Sequence, residues 1–119
     1  MVINEVSLQV TVKGVIGGSV VLPCSSKEPQ LTSEDITVNW KHHNRLKVYG
    51  IVKGKVSVEG QHPEYENRVE SDSEQHLRGN FSLKLKNLRY SDTGKYQCYI
   101  IDDSVIQTVE LRIEVFGVY

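Results

Sequence analysis

Three sets of residues in this sequence have types and spacings that could do chemistry. The first is a cysteine pair, Cys24 and Cys98. These are either two unrelated thiols of a reducing compartment or the two halves of a disulfide, and spacing alone does not choose. The second set holds metal-type donors: the adjacent His42 and His43, the isolated His62 and His76, and the pair Asp102-Asp103. Neighbours on a strand face opposite sides, so His42 and His43 do not readily reach one ion. A zinc site also wants further ligands at set spacings, and none is in place. Asp102-Asp103 suits a tight loop better than a calcium site. The third set is Asn80-Phe81-Ser82, an acceptor sequence for an N-linked glycan. No serine, threonine or cysteine stands in a recognisable nucleophile–base–acid context. The expectation is a protein that is not an enzyme and that holds no metal and no cofactor.

The elements that must position these residues are strands. Leu8, Val10 and Val12 alternate with polar neighbours, as do Val20, Leu22 and Cys24, then Ile36, Val38 and Trp40. The same period returns in Phe81, Leu83 and Leu85, in Tyr96, Cys98 and Ile100, and in Val109, Leu111, Ile113 and Val115. Period-2 alternation gives strands with one face in a core and one in water. Gly17-Gly18, Lys53-Gly54, Glu59-Gly60, Arg78-Gly79-Asn80 and Ser91-Asp92-Thr93-Gly94 punctuate them as turns. Many short strands separated by turns predict an all-β sandwich or barrel.

Size and charge bound the rest. The chain has 119 residues, 39% of them hydrophobic and 24% charged, with a net charge of -1. That fits one domain, residues 1–119, with one packed core. No basic cluster exists to neutralise phosphates, which argues against nucleic acid as a partner. No run of about 18 apolar residues is present to span a membrane. Met1 to Glu5 lack the charged and apolar regions of a signal peptide. The expectation is therefore a start placed on part of a longer chain, with leader, further domains and anchor elsewhere. Phe116-Gly117-Val118-Tyr119 reads as the beginning of a linker to a following domain.

One constellation chooses among all-β folds. Cys24 ends one inward-facing run, Cys98 ends another, and Trp40 lies between them on an inward position. An inter-sheet disulfide packed on a buried tryptophan marks the immunoglobulin sandwich. Tyr96 stands two residues before Cys98 and follows Asp92-Thr93-Gly94, the tyrosine-corner arrangement. Joining the cysteines closes a loop of about 75 residues, worth roughly 4.5 kcal/mol on chain-entropy arguments. Such a bond persists in an oxidising compartment, so the protein is expected outside the cell. The interval from Trp40 to Cys98 exceeds what a constant-type domain needs. Its surplus, Leu46 to about Val58, reads as the two strands a variable-type domain adds. The predicted fold is a variable-type immunoglobulin β-sandwich of two antiparallel sheets with Greek-key topology. Arg68 is expected to pair with Asp92 across its bottom.

Several strings resemble one family. Leu22-Pro23-Cys24, Lys47-Val48-Tyr49, Gln61 through Arg68, and Gly79-Asn80-Phe81-Ser82-Leu83-Lys84-Leu85 are similar to runs in the costimulatory-ligand and butyrophilin group. The likeness covers nearly the whole chain. It departs in a long Ser25–Asp35 loop and in Trp40-Lys41, where an aromatic often follows the tryptophan. The resemblance implies the N-terminal domain of a type I membrane protein, displayed at the cell surface. It implies a partner in a lymphocyte receptor of the immunoglobulin superfamily, engaged through the front sheet, and a role in regulating T-cell responses. The alternative is a homophilic or heterophilic adhesion domain, with a homodimer formed through the same sheet.

Parity nominates the contact residues. With Trp40 and Cys98 inward, Asn39, Lys41 and His43 face out, as do Gln97, Tyr99 and Ile101. With Val48 inward, Lys47, Tyr49 and Ile51 face out, and Ile106 lies beside Ile101. The receptor-binding candidates are Asn39, Lys41, Lys47, Tyr49, Ile51, Gln97, Tyr99, Ile101 and Ile106. An outward face this apolar marks an interaction site. A register slip of one residue would instead bury its members.

Overall fold

The computed structural model describes residues 4–5, 10–27, 32–102 and 104–114. The expectations for Met1, Leu8, Asp103, Val115 and residues 116–119 fall outside these, as does part of the Ser25–Asp35 loop, residues 28–31.

The chain crosses between two layers as it runs. Strands β1 (Asn4–Glu5) and β2 (Val10–Val15) lie in the front sheet and β3 (Val20–Leu22) in the back. Strands β4 (Val38–His42), β5 (Leu46–Val52) and β6 (Lys55–Ser57) return to the front. Strands β7 (Val69–Glu70) and β8 (Leu83–Leu85) belong to the back, and β9 (Gly94–Ile100) and β10 (Val105–Glu114) close the front. The front order is β1-β10-β9-β4-β5-β6, with β2 also on β10, and the back order is β3-β8-β7. Pairing is antiparallel except that β1 and β2 run parallel to β10. This is the variable-type immunoglobulin sandwich, with β5 and β6 as its two added strands.

The core lies between the layers and follows the alternation. Leu22, Trp40, Phe81, Leu83, Leu85, Tyr96 and Leu111 are buried. Cys24 and Cys98 form the inter-sheet disulfide, with their Cα atoms 6.4 Å apart. The Trp40 indole N–H donates to the Phe81 carbonyl at 3.1 Å, so the ring is buried without an orphaned donor. A short helix, α1 (Ser73–His76), is capped by the Asp72 carboxylate, which accepts from the Glu74 N–H. The β5–β6 hairpin turns on Lys53-Gly54, with φ of 50° and 80°. A two-residue loop with both φ positive matches the twist of the flanking strands, and glycine adopts that conformation at little cost.

Strand β5 corrects the sequence-based parity. Trp40 pairs with Tyr49, but the next residue, Lys41, pairs with Lys47, so Val48 is an extra residue on β5. This β-bulge turns both Val48 and Tyr49 inward, and the phase stays shifted beyond it. Tyr49 and Ile51, expected on the outer face, are therefore core residues, 4% and 0% exposed. Gly50 takes the outward place opposite Asn39, and the exposed Val52 follows it.

Candidate binding face

The outer surface of the front sheet is built in cross-strand rows. Ile106, Tyr99, Asn39, Gly50 and Ser57 are successive partners across β10, β9, β4, β5 and β6. Thr108, Gln97, Lys41 and Lys47 form the next row. Side chains directly opposite on one face lie close enough to touch. The Lys41 ammonium sits 5.4 Å from the centre of the Tyr99 ring, a cation–π placement. The Lys47 ammonium donates to the Glu59 carbonyl, which lays its stem across Gly50, with Cε 3.4 Å from where a glycine Cβ would stand. Gln97 accepts from the Asn44 N–H at 2.6 Å, fixing its amide. Partial burial raises the Tyr99 phenol above its ordinary pKa, so the ring is neutral and presents a hydroxyl donor.

Beyond the Tyr99 row the face turns apolar. Ile101 is 52% exposed and Val52 46%. Thr37 lies between them: its carbonyl accepts from the Ile101 N–H at 3.0 Å and its hydroxyl from the Lys53 N–H at 3.4 Å. Of the nine candidates, the structure brings Asn39, Lys41, Lys47, Gln97, Tyr99, Ile101 and Ile106 to this one side. Tyr49 and Ile51 are excluded from it by the bulge. Val52 joins the face unpredicted. Its run, Val48-Tyr49-Gly50-Ile51-Val52, has almost no polar member, and with no alternation to read its phase was free.

A second polar cluster lies inside, at the bottom of the sandwich. Arg68 and Asp92 form a buried ion pair, and Asp92 also accepts from the Arg89 N–H at 2.8 Å. The Tyr96 hydroxyl donates to the Asp92 carbonyl at 2.6 Å, which is the tyrosine corner. Sequence reasoning missed the remaining members. His42 is 3% exposed, stacked on Tyr96 with ring centroids 4.2 Å apart. Its Nε2 lies 2.9 Å from the Thr93 carbonyl and its Nδ1 2.6 Å from the Tyr65 hydroxyl. A carbonyl can only accept, so Nε2 carries the proton and Nδ1 accepts from Tyr65. Burial lowers the His42 pKa, in keeping with a neutral ring. Burial also pushes the Tyr65 phenol up to about 12 and raises that of Tyr96. The signal was there: His42 continues the inward parity of Val38 and Trp40. This cluster is closed on itself and serves the fold. His43 is exposed beside it, and no three histidine, cysteine, aspartate or glutamate residues gather as a metal site among the described residues.

Comparison with known proteins agrees with the fold. The immunoglobulin V-set domain family matches residues 8–115, and the chain belongs to that family. Within it, the relatives are of the costimulatory-ligand group that the motifs resemble. The CD276 antigen homolog of Xenopus laevis is 31% identical over 88% of this chain and 35% of its own length. The human V-set domain-containing T-cell activation inhibitor 1 is 35% identical over 74% of this chain and 31% of its own. The chain thus spans about a third of the length of these curated relatives. Among solved structures, a chain of the crystal structure of ICOS in complex with ICOS-L and an anti ICOS-L VNAR domain matches with a TM-score of 0.77. It is 27% identical, over 92% of this chain and 55% of that one. Among the described residues no helix is long and apolar enough to cross a membrane.

Proposed function

We propose that this domain is an extracellular ligand module that binds a lymphocyte receptor of the immunoglobulin superfamily through its front sheet and so regulates T-cell responses. One observation carries the reading: the outer side of the front sheet holds Tyr99, Ile106, Ile101 and Val52, with Asn39 and Thr37 set among them and Lys41, Lys47 and Gln97 in the adjoining row. Aromatic and aliphatic side chains exposed on one sheet face among polar groups are the form an interaction surface takes. Tyr99 is its centre, a neutral aromatic with a polar tip, the residue type that dominates interface energetics. The relatives add support, since one is called a T-cell activation inhibitor and a matching structure is a complex of ICOS with ICOS-L. Display at the cell surface, as part of a longer membrane protein, belongs to the same proposal.

Sedimentation across a wide concentration range, followed by binding to lymphocyte receptors, tests it. The expected result is a monomer that binds a receptor in trans, with Tyr99→Ala weakening that binding at least about 30-fold, the scale of a hot spot. The melting temperature of that variant should stay within a few degrees of the parent. Receptor binding indifferent to Tyr99→Ala would overturn the assignment of the face. A dimer that dissociates on Tyr99→Ala would move the face to self-association and favour an adhesion role.

A further inference from the structure

The back sheet carries a hollow on its outer side. Val21, Lys84 and Glu70 are successive cross-strand partners there. Val21 is 55% exposed at its floor. Lys84, Glu70, Asp72 and Gln75 stand around it, and Asn80 and Ser82 line it as well, enclosing about 470 Å³. That volume lies within the range of about 300–1,000 Å³ typical of small-molecule sites. An apolar floor inside a ring of carboxylate, amide and ammonium groups suits a pyranose. Its C–H face can cover the valine while its hydroxyls meet charged and amide partners.

Asn80 is already turned for attachment. Its side-chain oxygen accepts from the Ser82 N–H at 3.1 Å and from the Ser82 hydroxyl at 2.7 Å. An N–H can only donate, so the atom facing Ser82 is oxygen and not nitrogen. The Ser82 hydroxyl in turn accepts from the Cys24 N–H at 3.3 Å, which ties the arrangement to the disulfide. The amide nitrogen occupies the other corner of the same planar group. Among the described residues no hydrogen-bond partner holds it.

We propose that Asn80 carries an N-linked glycan whose first sugar lies in this hollow over Val21, so that the back sheet is a glycan bed. In the attachment, Asn80 Nδ2 bonds to C1 of an N-acetylglucosamine carried by a lipid-linked oligosaccharyl pyrophosphate. The C1–O bond breaks, the lipid pyrophosphate leaves with the electron pair, and Nδ2 gives up one proton. The sugar shields Val21 and leaves the opposite, front face uncovered. This inference rests on Asn80 and the hollow alone and does not depend on any receptor.

The test is to secrete the domain from a glycosylating eukaryotic host, trim the glycan to one N-acetylglucosamine and record nuclear Overhauser contacts. Intact mass should show one glycan, removable by an amidase that cleaves at asparagine. The acetyl or ring protons of the sugar should give cross-peaks to the Val21 methyl groups, and Val21→Ser should abolish those contacts and leave the sugar mobile. Asn80→Asp keeps an oxygen acceptor for Ser82, removes the attachment point and provides the folded, sugar-free reference. A secreted protein with Asn80 unoccupied overturns the proposal. So does a glycan that tumbles freely with no contact to Val21.

Discussion

Two tyrosines of the front sheet lie on opposite faces of it, and substitution should separate them. Tyr99 projects beside Ile106 and Asn39 on the outer face and is half buried. Tyr49 is turned inward, where its hydroxyl meets the Ser71 hydroxyl at 2.9 Å, and Ser71 in turn meets Nε2 of the buried His76 at 2.9 Å. Tyr49→Ala removes a buried aromatic and leaves a cavity, so chemical denaturation should show a loss of about 3–5 kcal/mol. Tyr49→Phe keeps the ring and loses one hydrogen bond, for a loss of about 1 kcal/mol. Partner binding by the Phe variant should equal that of the parent. A Tyr49→Phe variant that folds normally but fails to bind would contradict the inward placement. The buried Arg68–Asp92 pair belongs to the same scale. Asp92→Ala strands a buried guanidinium, with an expected loss of about 3–5 kcal/mol by denaturant titration. That pair was legible in the sequence because it belongs to a recurring frame, Asp-x-Gly-x-Tyr-x-Cys with an arginine upstream. The His42–Tyr65 contact was not, because nothing local in the sequence links two residues that the fold alone brings to 2.6 Å.

At the scale of elements, alternation found the strands and failed where alternation was missing. Strand β8 alternates apolar and polar residues throughout and β4 and β9 do so over most of their length, so their inward sets, including Trp40, Leu83 and Cys98, could be read directly. Strand β5 gives no such signal, and the bulge at Val48 costs a register step that no single residue announces. Gly50 is the trace it leaves: an outward glycine in mid-strand, where a side chain would crowd the neighbouring strand. A Cβ there would lie 3.0 Å from the Ser57 carbonyl oxygen and 3.4 Å from Lys47 Cε. Gly50→Val should therefore push β6 away from β5, at a cost of about 1–3 kcal/mol. Amide hydrogen exchange should report it as lost protection at the β5–β6 ladder, with β8 and β9 unchanged. Protection of β6 equal to that of the parent would show that the strand tolerates the extra methyls. The same substitution moves the Lys47 stem off its place beside the Tyr99 row, which links the bulge to the shape of the binding face.

The whole molecule is a thin sandwich in which two imidazoles are buried, and this sets how its stability follows pH. Burial, the largest cause in each case, holds His42 and His76 below the ordinary 6.5. His42 is lowered further by His43, while its backbone hydrogen bond to Thr93 and the carboxylates of Asp92 and Glu64 oppose the shift. For His76 the Asp72 carboxylate opposes it. The unfolded chain takes up protons as pH falls through 6.5, whereas the folded chain at first does not. The unfolded state thus binds more protons, and linkage makes stability fall with decreasing pH below that point. The contribution is complete above 6.5 and drains away down to the folded-state values. Each imidazole can supply a slope of at most about 1.4 kcal/mol per pH unit. Urea unfolding between pH 7.5 and 5.5 should show the free energy dropping towards the acid end. His42→Gln keeps an N–H to donate to Thr93 but cannot titrate, and His76→Gln likewise removes a titrating ring, so the double variant should have a flatter profile over that range. Carboxylates away from the two rings contribute equally to both proteins, and the difference between the two curves reports the histidines together with their coupling to Asp92, Glu64 and Asp72. Parallel curves would mean that both rings titrate in the folded protein as they do in the unfolded chain. In that case the closed Tyr65–His42–Thr93 arrangement would not survive in solution.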